Sequence, residues 1–458
     1  MTMVKLFRYL ARRRVLPLAV LILWGVQLIV GMSSRPESIR SRLFGQSLPF
    51  VGATGAGIDY YQFWIVGRAE EQLPPDNIYS MPNRGRMADF GRELLEADPA
   101  PSARFANSVQ IRRTIETFST PFLYAAVNAF ASGDYERDYA RFIAVALAAL
   151  ALSLAALGWM LEYSALEILL FAAVTWLWCE PLTSDLRVGN VNELQLAGVT
   201  LYLLLRRRPE GVGADILSGL VLGLLVAFKP TLGVMPILLA LAWIVDRRWR
   251  TLLVQGIAAA AGAGAAFVAG CRFLHSWSAW SDWTHSLPDL EKLSDVSVRI
   301  GNFSLARVIL EATSGPGGPG IAAGPLLLVL MLALAGAALF LTRRRARDRR
   351  EASGAWFERD FWAVAIGCAL SVVALKLAWL HYYILLLPLV LYVLRPWPVP
   401  VMLAGTLALA AVFGRPLIFL LEPDPSFAAA IYIAGAWGLL LLGLGWLFLP
   451  ARDGGAAG

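Results

Sequence analysis

Charge and cysteine are scarce in this chain. Of its 458 residues only 16% are Asp, Glu, Lys or Arg, whereas 58% are hydrophobic, and the mean hydropathy is +0.60. Soluble domains carry about a quarter charged residues, so an ordinary water-soluble protein is excluded. The three cysteines, Cys179, Cys271 and Cys368, lie in or beside apolar runs without a CxxC spacing. They read as small apolar side chains, so neither a disulfide framework nor a metal site is implied. The chain also lacks GxxxxGK[ST], GxGxxG after a strand, HExxH and GxSxG, so nucleotide-driven pumping and the common hydrolase mechanisms lose support. No tandem repeat of about 20 to 50 residues is present.

Apolar runs are spread from residue 15 to residue 449, with two long polar gaps at 33–137 and 272–320. This pattern predicts an all-α polytopic membrane protein, one integral domain over 1–458. The net charge of +7 comes from arginines clustered at the ends of the apolar runs. Such clusters set topology or meet anionic lipid, so membrane lipids are expected partners and nucleic acid is not.

Lys5, Arg8, Arg12, Arg13 and Arg14 precede the first run at 15–32. Val30-Gly31-Met32-Ser33 is a poor cleavage site, so an uncleaved first helix is expected to enter from the cytoplasm and leave the 33–137 loop outside. The stretch 120–131 is too short to cross and is expected to lie along the interface. Counting on with arginines kept inside gives about twelve crossings and both termini cytoplasmic. The count requires the run at 216–245 to cross twice, as two short helices meeting near Lys229-Pro230.

With that topology, Asp59, Asp185, Asn190, Lys229, Asn302 and His381 all fall outside or at the outer membrane edge. Ionisable groups at such positions are costly and tend to face a cavity or a partner. Lys229 reads as a cation able to hold a phosphate, and His381, beside Tyr382, as a candidate in the same cavity. Lys376 either snorkels or lines that cavity. Asp59 is flanked by Tyr60, Tyr61, Phe63 and Trp64, which suggest a surface for a sugar ring or lipid chain beside a general base. The outer loops hold no DxD pair of the kind that carries a metal-bound nucleotide sugar, which is consistent with a lipid-linked donor.

The order of short motifs resembles a known family. Asp59-Tyr60-Tyr61 is followed by Thr120-Pro121-Phe122-Leu123, Gly189-Asn190-Val191-Asn192, Gly219-Leu220-Val221-Leu222-Gly223, Lys229-Pro230-Thr231, Asn302-Phe303-Ser304-Leu305 and Trp379-Leu380-His381-Tyr382-Tyr383. Together they resemble the polyprenyl-phosphate-sugar-dependent glycosyltransferases of family 87, over residues 57 to about 395. The chain departs at Gly189-Asn190, where the family often has Gly-Gln, and at Leu375-Lys376-Leu377-Ala378-Trp379, where it often has Ser-Pro-x-Ser-Trp.

The resemblance implies a GT-C fold in a bacterial inner membrane, with the active site facing the periplasm. It implies transfer of mannose, another hexose or a pentose from a polyprenyl phosphate to a lipid or glycan acceptor. Asp59 would be the general base, His381 a functional histidine and Lys229 a group near the donor phosphate. Asn190, Tyr60, Tyr61, Asn302, Tyr382 and Lys376 are the further binding candidates. No cofactor and no metal enter this scheme. Two other classes fit the same outer polar loops: a lipid-linked sugar transporter or flippase, and a ligase or polymerase that takes glycans from a pyrophosphate carrier.

Overall fold

The computed structural model describes residues 57–73, 77–207, 211–290, 302–314, 323–343, 355–375, 377–395, 408–409 and 425–448. Every regular element among them is helical, and one isolated antiparallel bridge joins Asn302 to Trp379. The expected first span at 15–32, nearly all of that at 399–421, and Lys376 lie outside the described residues.

The first polar gap folds into short helices: α1 (Ile58–Gln72), α2 (Met81–Ala97), α3 (Ala103–Ile111) and α4 (Pro121–Asn128). Ser102 and Thr120 cap α3 and α4 by accepting from the amides of Phe105 and Leu123, and Pro121 takes the first helical position, where a missing amide costs nothing. With eight residues at about 1.5 Å each, α4 is too short to cross a membrane. It instead packs against α1.

Next come α5 (Tyr135–Met160), α6 (Ala165–Trp178), α7 (Glu180–Val188) and α8 (Asn192–Arg207). Asp134 caps α5, and a reciprocal Ser164 and Glu167 capping box starts α6. α9 (Val212–Phe228) leads through a 3-10 turn (Pro230–Gly233) into α10 (Val234–Val245) and α11 (Trp249–Phe273). After α12 (Ala279–Leu290), α13 (Leu305–Ser314), α14 (Ala323–Leu341) and α15 (Ala355–Val373), a second 3-10 segment (Leu380–Leu386) runs into α16 (Leu387–Val393). α17 (Pro425–Trp446) is the last helix described.

Close contacts fix the helix directions. Gly219 faces Gln255 and Ala258, Gly223 faces Ala259 and Ala263, and Gly262 faces the backbone of Leu220, so α9 and α11 run parallel with backbones in contact. Gly367 meets Met235 while the Trp243 indole donates to Asp360 at 3.0 Å, so α10 and α15 run antiparallel. The Thr120 hydroxyl donates to the Phe228 carbonyl at 3.1 Å, and Gly270 abuts Pro121. The C-terminal ends of α9 and α11 therefore meet α4 at one pole, and α10 returns to the other. The Lys-Pro interruption is a reversal: proline disfavours helix at the residue before it, and Lys229 is extended, with φ −148° and ψ 102°.

The far pole carries a buried ionic network. Arg206, only 1% exposed, pairs with Asp215 and, at 2.9 Å, with Asp360, which also receives Arg248 at 2.8 Å. Arg359 pairs with Asp246 at 3.0 Å beside it. Between the poles, Leu152, Leu169, Leu253, Ile257, Leu326 and Leu441 project outward from five helices, as side chains facing lipid do. α5 and α11 are each long and apolar enough to cross a membrane.

Candidate active site

Asp59 lies in the first turn of α1, and that turn is rooted in the end of α7. Gly57, at φ +79°, donates its amide to the Arg187 carbonyl at 2.7 Å and accepts from the Tyr135 hydroxyl at 3.0 Å. The Asp59 side chain is 16% exposed. Its Oδ1 accepts from Arg112 at 3.0 Å and from Gln62 at 3.5 Å, and its Oδ2 accepts from Asn190 at 2.8 Å.

Asn190 reaches Asp59 because α7 ends in a left-handed glycine. Gly189 has φ +74°, and a Cβ there would lie 2.8 Å from the Cβ of Tyr60, so glycine allows both the turn and the approach of α1. The Asn190 amide then faces both ways: Nδ2 towards Asp59, and Oδ1 towards Lys229 Nζ at 3.5 Å. Asn192 Oδ1 accepts from the same ammonium at 3.2 Å, while its Nδ2 donates to Asp185 at 2.7 Å.

Lys229 stands in the break between α9 and the 3-10 turn, in neither apolar helix, with Nζ 4.0 Å from the centre of the Tyr382 ring. Burial pulls the ammonium down from the ordinary lysine range to about 8, against the pull of the Asp185, Asp59 and Glu193 carboxylates. His381 packs edge-on against Tyr382, with ring centres 4.9 Å apart, and lies within electrostatic reach of Asp185, Asp59 and Lys229. Its Nε2 has no hydrogen-bond partner among the described residues. Asp59, Asn190, Lys229, His381 and Tyr382 thus come from four separate stretches of chain to one pole.

Three other candidates fall elsewhere. Tyr60 packs among Tyr135, Tyr139 and Phe142, and Tyr61 is fully buried against Phe105 and Tyr135. The expected aromatic surface beside Asp59 is therefore core: residues in successive positions of a helix diverge by about 100°, so Asp59 faces the polar group while its neighbours face inward. Asn302 accepts from the amides of Ala378 at 2.9 Å and Ser304 at 3.3 Å, fastening the strand-like approach to His381. Among the described residues, no set of three or more His, Cys, Asp and Glu is arranged to hold a metal.

Arg112 was not singled out in the sequence, where it is one of several loop arginines and only its position after α3 brings it to Asp59. Asn192, two residues after Asn190, carries a weak signal in the Gly-Asn-Val-Asn spacing.

A carboxylate held by an amide that also faces a buried ammonium can take a proton from a hydroxyl while the cation meets an anion formed nearby. No curated protein and no solved structure gives a significant match to the chain. A sequence model of glycosyltransferase family 87 matches residues 120–358, a stretch that includes Asn190 and Lys229. That match spans more than half of the chain, so this helical membrane protein belongs to glycosyltransferase family 87 and is a glycosyltransferase.

Proposed function

We propose that the protein moves one sugar from a polyprenyl monophosphate donor to a hydroxyl of a lipid or glycan acceptor, at the extracytoplasmic face of the inner membrane. The observation that carries this reading is the Asn190 side chain, which joins the Asp59 carboxylate to the Lys229 ammonium. A base and an anion-stabilising cation then flank one point. The acceptor oxygen forms a bond to the anomeric carbon as the bond from that carbon to the phosphate oxygen breaks. The hydroxyl proton goes to Asp59, and the charge of the departing polyprenyl phosphate meets Lys229.

His381 and Tyr382 wall the same side of the site, with the Tyr382 ring holding Lys229 over its face. The extracytoplasmic placement is supported by the arginines of the opposite pole, Arg206, Arg248 and Arg359, which by the positive-inside tendency favour the cytoplasmic side.

Purified protein in liposomes, supplied with polyprenyl monophosphate mannose or a pentose counterpart and a glycolipid acceptor, tests the reading. Transfer of single sugars supports it. Movement of the donor across the bilayer without transfer would replace it with a transporter, and activity only with pyrophosphate-linked glycans would replace it with a ligase or polymerase.

A further inference from the structure

Within electrostatic reach of Lys229, two acidic side chains meet in a place where neither can be solvated. Asp185, near the end of α7, and Glu193, in the first turn of α8, are both fully buried and lie within hydrogen-bonding reach of each other. Asp185 Oδ1 is occupied by the Asn192 amide at 2.7 Å. Asp185 Oδ2 and both Glu193 oxygens have no donor among the described residues. Two ionised carboxylates in contact and out of water repel strongly, and an unpaired buried charge is costly. One proton placed between them removes the repulsion and supplies the missing donor.

We propose that Glu193 holds this proton and donates it to Asp185 Oδ2, so that the pair carries a single negative charge, seated on Asp185. Asp185 is the charged member because it already accepts a hydrogen bond from Asn192. The groups within electrostatic reach of the pair are Lys229 from the break, His381 and Tyr382 from the second 3-10 segment, Tyr139 from α5, and Cys179 between α6 and α7. Through Asn192, whose Oδ1 takes the Lys229 ammonium at 3.2 Å, the charge on Asp185 fixes where that ammonium stands. Asp185 and Glu193 are thus positioning residues. Their functional consequence rests on the reading of Lys229 as the cation of the donor phosphate, but the proton itself is detectable without substrate.

The test uses the full-length protein in detergent. In the infrared difference between wild type and Glu193→Gln, the carbonyl stretch of a neutral carboxylic acid is expected as a band present only in wild type. Glu193→Gln, which keeps a donor towards Asp185, is expected to retain roughly ten times more transfer than Glu193→Ala, and Asp185→Asn to lose roughly tenfold or more, mainly as a higher KM for the donor. Absence of the carboxylic-acid band overturns the proposal, as does equal loss in Glu193→Gln and Glu193→Ala. Activity abolished by a chelator and restored by magnesium or calcium also overturns it, since the two carboxylates would then hold a cation. If the band is present but the enzyme uses no polyprenyl monophosphate sugar, the proton stands and the donor reading falls.

Discussion

Asn190 donates its side-chain amide to Asp59 at 2.8 Å, although the two residues are 131 positions apart in the chain. The bond orients the carboxylate, and the other end of the same amide faces Lys229. Hydrogen bonds to charged groups are worth about 1.5–3 kcal/mol, so Asn190→Ala is expected to lower kcat/KM by roughly ten- to a hundredfold. Asn190→Gln, which keeps the amide, should lose less. Equal losses in the two variants, measured by initial rates with a labelled donor, would show that the amide is not what matters.

Asp59→Asn should lose about 10²- to 10⁴-fold in kcat, the usual contribution of a positioned base. Arg112 and Asn190 remain in place around the new amide, so thermal stability and donor binding should change little. Turnover near that of wild type in Asp59→Asn rules the base out.

The Lys229 ammonium is charged below a pH of about 8 and neutral above it. If it holds the donor phosphate, KM for the donor rises as the pH is raised through about 8. In Lys229→Arg the guanidinium stays charged across this range, so the alkaline rise should disappear, while Lys229→Met should have a high KM throughout. A wild-type KM that stays flat from pH 7 to about 9.5 contradicts the assignment.

Arg206 is expected to govern stability, with no direct part in chemistry. It is buried at the pole opposite Asp59 and holds two carboxylates from α9 and α15. Removing one partner of a buried ion pair typically costs about 3–5 kcal/mol. Arg206→Met should therefore lower the unfolding temperature in detergent clearly, while the KM of the surviving folded enzyme stays close to wild type. An unchanged Tm would show that the network contributes nothing.

Lys229 and His381 stood out in the sequence because each is an ionisable residue at the edge of an apolar run, where it is expensive, and Asp59 because aromatic residues flank it within the first polar gap. The reversal at Lys229-Pro230 was readable for a related reason: arginines flank the run on both sides, and a proline sits in the middle. Arg206 belonged to such a flanking cluster and so read as a topology signal; only the packing of α8 against the start of α15 shows that it is a buried ion-pair partner. The roles of Tyr60 and Tyr61 were not legible, because composition shows that aromatics surround Asp59 but not which way each points. That depends on the helix starting at Ile58. Arg112 gave no sign at all, since its partner is set by the placement of α3 over α1 and not by anything beside it in the chain.

The bond from the Thr120 hydroxyl to the Phe228 carbonyl ties the cap of α4 to the residue just before Lys229. A rearrangement that lifts α4 must either break this tie or drag the lysine with it. The position of α4 and the placement of the lysine are thereby mechanically linked, and Thr120→Val, which deletes the hydroxyl at nearly constant volume, is the substitution that would let the two move independently.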